Sequence, residues 1–168
     1  MTRKHKPGIS AIKLFELTLA KCDTTPASVA DADELTLSPL VNVDRLSTGS
    51  LNDEGFIDLN EANVAGFCIA ALVYQFAANQ ASKEMIAQAQ PHFEQAADAL
   101  AEIGARKIQR GNYIATGPEL TAIRESLRLY REVILVSDKG LIVKGLIRAK
   151  ELVAGKLHKV WLRGGRLK

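Results

Sequence analysis

The stretch Ser50–Glu61, SLNDEGFIDLNE, sets oxygen-bearing side chains at the spacing of a calcium loop. Such a loop draws ligands from alternate positions, closes on a bidentate acid and needs a central glycine. Counted from Ser50, the residues Asn52, Glu54, Gly55, Asp58 and Glu61 fall in register. Two features oppose the match. Ser50 offers a hydroxyl where a carboxylate is wanted, and Gly49 breaks the helix that should enter the loop. The same residues also make an Asn52–Gly55 turn, with Asp58 and Glu61 capping the helix that follows. The reading is therefore a turn and a cap, and no metal is expected.

A second group is the row Arg124, Arg128 and Arg131, which shares one face of a helix. It has the make-up of a phosphate-binding stripe. Glu125 and Glu132 lie at pairing distance along the same helix, so a self-paired, solvated face is expected. The third group is at the chain ends. Residues 1–8 hold Arg3, Lys4 and Lys6, and residues 156–168 hold Lys156, Lys159, Arg163, Arg166 and Lys168, with no acid in either. These ends carry +8, so residues 9–155 carry −5 to give the net +3. Trp161, the only tryptophan, sits among the C-terminal cations. Cations around one aromatic can hold a nucleic-acid backbone and stack a base. The expected nucleic-acid-binding residues are thus Arg3, Lys4, Lys6, Lys156, Lys159, Trp161, Arg163, Arg166 and Lys168.

Catalytic residue patterns are missing. His5, His92 and His158 are scattered, with no partner at ligand spacing. There is no GxSxG, no P-loop and no dinucleotide fingerprint. The helix pair across residues 123–153 has a short turn, but the second helix opens with KGLIVKGLI, too apolar to read bases. No enzyme activity, catalytic residue or cofactor is expected.

The elements that must carry these groups read as helices. The chain is 47% apolar and only 5% aromatic, which favours helix over sheet. Residues 9–22 are apolar at helical spacing, and residues 23–37 read as a linker. Ser38-Pro39 opens a short helix that stops before Gly49, and residues 50–58 form a loop. From Asp58 the chain is apolar nearly all round, the mark of a helix covered on every side. Pro91 restarts a helix over 91–110, whose inner side holds Phe93, Ala96, Ala97, Leu100, Ile103 and Ile108. Thr116 and Glu119 open the next helix, and the last runs from about Ser137 to Ala154. The fold class is all-α: a single-domain bundle of five or six helices over residues 9–155, with basic, flexible ends at 1–8 and 156–168.

Two cysteines, Cys22 and Cys68, make no disulfide framework, and a reducing cytoplasm is the natural setting. No secretory signal pattern follows the basic N-terminus. The apolar run near Val64–Ala78 is too short to span a bilayer, so no membrane partner is expected.

The order of features resembles a loose group of small helical accessory proteins from proteobacterial phages and plasmids. The resemblance rests on Leu37–Leu40, on Thr48-Gly49, on Asn63 within the apolar helix and on TGPELTAIRESLRLY at Thr116–Tyr130, and it covers residues 37–155. It implies an accessory role on a mobile element and brings no activity with it. Two functions follow as expectations. One is binding of DNA or RNA through the basic ends. The other is a protein-binding inhibitor or adaptor acting on host machinery, such as CRISPR complexes. The sequence carries no sign of oligomeric state.

Overall fold

The computed structural model describes residues 21–76 and 80–154. Within them the chain forms five helices, α1 (Val29–Ser47), α2 (Asp53–Phe76), α3 (Gln80–Arg110), α4 (Gly117–Leu135) and α5 (Lys139–Ala154). They form an all-α bundle with α2 at its centre, packed against each of the other four. The segments 1–8 and 156–168 lie outside the described residues.

α1 begins ten residues earlier than the Ser38-Pro39 start expected from sequence. Ser28 is the N-cap: Asp31 N–H donates to Ser28 Oγ, while Ser28 N–H and Oγ–H donate to Asp31 Oδ2 at 2.8 and 2.7 Å. That reciprocal capping box nucleates a helix upstream of Pro39. Pro39 then falls inside and removes one ladder donor, but it is buried and the helix runs on to Ser47. Much of the expected linker 23–37 is therefore helix. The rest, residues 23–27, is laced to the α4–α5 turn: Ala27 N–H donates to Ser137 O, and Lys139 and Gly140 N–H donate to Thr25 O and Asp23 O.

α1 closes on Gly49, whose φ of +71° lets Ser50 N–H reach back to Arg45 O. The loop expected over 50–58 is only Thr48–Asn52. Asn52 Oδ1 accepts Gly55 N–H at 2.9 Å, so Asn52 caps α2 and Asp58 lies more than a turn inside the helix. From Glu54 onward the ligand positions of the calcium-loop pattern lie along α2, and only Ser50 and Asn52 precede it.

α3 passes through Pro91 without restarting. On its inner side Phe93, Ala96, Ala97, Leu100 and Ile103 are buried, while Ile108 is turned to solvent. Close crossings seat the helices. A Cβ at Gly66 of α2 would lie 2.5 Å from Phe93 Cε1, and one at Gly145 of α5 would run into Ile69. α2 is also long and apolar enough, by length and composition alone, to cross a membrane. Burial of Leu59, Val64, Ala65, Ile69 and Val73 against four neighbours accounts for the same composition. Its cover is not complete: Ala71 is exposed, and Tyr74 and Phe76 show 47% and 60% of their surface.

Candidate binding surfaces

Several charged groups that could do chemistry are paired within a helix or between helices. On α4, Arg128 is bracketed by Glu125 at 2.6 Å and by Glu132. These carboxylates push the guanidinium's pKa further up, and Arg128 in turn holds Glu125 below its usual range. Arg131 donates to Asp33 of α1 at 2.8 Å. Of the arginine row, Arg124 alone has no acidic partner among the described residues, so the row is not a phosphate stripe.

A second node joins α2, α3 and the 111–116 loop. Tyr113 Oη–H and Lys107 Nζ both donate to Asp53 Oδ1, at 2.8 and 2.7 Å, and Phe56 stacks on Tyr113 at 4.4 Å. The lysine hydrogen bond comes first among the causes that lower the Asp53 pKa, and burial raises that of Tyr113. Next to it, Arg106 donates to Glu119 at 2.5 Å, and Glu119 also accepts Thr116 N–H. Burial works against the Glu119 charge, but these donors outweigh it and its pKa falls. The helix start at Thr116 was legible in sequence; its tie to Arg106 was not.

Two concavities flank α2. One, of about 150 Å³, brings Asp58 and Glu61 of α2 beside Tyr130 of α4 and Lys150 of α5. Tyr130 is buried there, which raises its hydroxyl pKa. The other, of about 340 Å³, is an apolar groove between α2 and α3 lined by Phe67, Ala70, Ala71, Tyr74 and Ile86. Lys83 Nζ lies 5.9 Å from the Tyr74 ring centroid at its edge. Among the described residues, no cluster of three or more His, Cys, Asp or Glu side chains has the geometry to hold a metal ion.

The outer face of α1 is different in kind. Leu37, Leu40 and Val41 are 65%, 46% and 43% exposed. Glu34 and Asp44, both exposed, close this patch at either end and make no ion pair among the described residues. Relative to Leu37, these residues span an arc of about 120° on a helix of 100° per residue. The patch was missed because α1 was expected to start at Ser38. The signal that would have found it is Ser28-Val29-Ala30-Asp31, a capping-box spacing with Asp in the acidic place.

Arg3, Lys4, Lys6, Lys156, Lys159, Trp161, Arg163, Arg166 and Lys168 lie outside the described residues. The chain matches no protein-family profile, no curated protein and no solved structure.

Proposed function

We propose that this chain is a non-enzymatic accessory protein of a mobile element, cytoplasmic in setting, that binds nucleic acid or another polyanion through its basic ends. The observation that carries this reading is the separation of charge. The ends hold +8 while residues 9–155 hold −5. Arg128 and Arg131 are paired with acids, which supports a reading in which the ends, with Lys144, Arg148 and Lys150 of α5 extending their basic surface, make the phosphate contacts. The test is binding of duplex and single-stranded DNA to the full-length chain across a salt series. Five C-terminal contacts give a slope of log affinity against log salt of about −4 to −5, with little sequence preference. Trp161→Ala weakens single-strand binding by about 1–3 kcal/mol if the indole stacks on a base. Absence of binding at low salt, or equal binding after the five C-terminal cations become Gln, overturns this reading.

A second reading, a protein-binding inhibitor or adaptor aimed at host machinery such as CRISPR complexes, is favoured by the exposed apolar patch on α1. Affinity capture of a host protein that survives nuclease treatment supports it, and capture lost on nuclease treatment counts against it.

A further inference from the structure

We propose that the outer face of α1 is a docking surface for a basic amphipathic helix of a partner protein: apolar anchors with a Lys or Arg at each end. This rests on the second reading above and specifies the partner's chemistry and the face it uses.

The residues Glu34, Leu37, Val41 and Asp44 follow one another at helical three- and four-residue steps, with Leu40 alongside. They form a line along α1 with an acid at each end and apolar side chains between. The core has no use for this line, because α1 already buries Ala32, Thr36, Pro39, Asn42, Val43 and Leu46 on its other side. Two further acids of α1 are already paired: Asp31 with Lys139, and Asp33, which lies on this same face at its N-terminal end, with Arg131. Glu34 and Asp44 are left facing out, about 15 Å apart at 1.5 Å per residue. A helix laid along α1 with its own cations at that separation would bury its apolar anchors on Leu37, Leu40 and Val41 and neutralise both acids.

Charge also excludes other occupants. A second copy packed about a two-fold axis would set Glu34 against Asp44 of the other chain, and Asp44 against Glu34, in the antiparallel arrangement. Parallel packing would set each acid against itself. Both meet like charge at the two ends. Phosphates of nucleic acid or of an anionic membrane are repelled by the same acids.

The test uses the full-length chain and a synthetic helical peptide with leucine anchors and a lysine at each end, ten residues apart. A control peptide has glutamates in place of the lysines. Fluorescence anisotropy at about 50 mM salt, where charge is weakly screened, reads the affinity. The lysine peptide is expected to bind and the glutamate peptide not. Leu37→Ser with Val41→Ser is expected to weaken binding about tenfold or more with an unchanged melting temperature, since both side chains are exposed. Glu34→Lys with Asp44→Lys is expected to reverse the preference toward the glutamate peptide, which no general loss of packing would do. Equal binding of both peptides, or no effect of the serine pair, overturns the proposal. So does tighter peptide binding on changing Arg3, Lys4 and Lys6 to Glu, which would assign the face to the chain's own N-terminus. So does a dimer in sedimentation that the serine pair dissolves. A host protein captured equally by wild type and the serine variant would leave the second reading standing and remove this face. No peptide binding and no captured protein would remove both.

Discussion

Asn42 of α1 donates its side-chain amide to Asp58 Oδ2 of α2 at 2.7 Å, and the same oxygen accepts the Ser38 hydroxyl at 2.9 Å. Arg45 donates to Asn42 Oδ1, so the amide is used at both ends. Asn42 is 4% exposed, and its site is tight: a Cβ at Gly55 would lie 2.8 Å from its Oδ1. The pair therefore fixes the angle at which α1 lies on α2, and with it the direction in which the acid-capped patch faces.

A double-mutant cycle measures that pair. Asn42→Ala is expected to cost about 1–3 kcal/mol, because it removes a hydrogen bond to a charged group inside a packed contact. Combined with Asp58→Asn, the losses are expected to fall short of additivity by about 0.5–3 kcal/mol in urea unfolding. Additive losses would mean the two side chains do not act together.

The centre of the bundle is tested by two aspartates on α2. Ile69 is fully buried, so Ile69→Asp places an unpaired charge in the core at a cost of several kcal/mol, against a total stability of about 5–15. It is expected to unfold the chain by circular dichroism. Ala71, two residues on, is exposed, and Ala71→Asp is expected to leave the melting temperature nearly unchanged. Equal damage from both would mean that α2 is covered on the Ala71 side as well.

The Ser28 capping box predicts a pH dependence. The backbone N–H and hydroxyl of Ser28, in that order, lower the Asp31 pKa from 3.8 to about 2. A depressed carboxylate pKa adds stability that is whole above the unfolded value of 3.8 and is lost as pH falls through the folded value near 2. Ser28→Ala is expected to move the Asp31 titration, followed by NMR, up toward 3.8 and to remove part of the melting-temperature loss in that window. A wild-type Asp31 that titrates near 3.8 would refute the box.

The two thiols separate kinetically. Cys22 is exposed, whereas Cys68 is buried, which raises its pKa to about 11. Because the thiolate is the reactive form, a thiol reagent at neutral pH is expected to modify one cysteine quickly and the second only on unfolding. Two fast equivalents on the folded chain would place Cys68 at the surface.

Helical class, the central place of the 58–76 segment and the start of α4 were legible in sequence, because each rests on a local pattern. Apolar residues all round need a bundle around them, and Thr116 with Glu119 caps a helix whatever packs beside it. Segregation of charge to the chain ends is likewise a property of the sequence alone. Tertiary structure decided what local patterns leave open. Pro39 and Pro91 read as helix starts but lie inside helices: Pro39 is itself buried, and around the exposed Pro91 the helix buries Ile86, Ala89 and Phe93, which outweighs one missing ladder bond. Asp58 read as a cap for α2; it became the acceptor for Ser38 and Asn42, residues 20 and 16 positions away. Ile108 read as core yet faces solvent, and the helix read as covered on every side leaves Ala71 exposed, since a spacing rule gives a helix its stripe but not where its neighbours end. The acid-capped patch on α1 needed both levels: the spacing of Glu34, Leu37, Val41 and Asp44 is in the sequence, and only the packing of α1 on α2 and α4 turned that line outward.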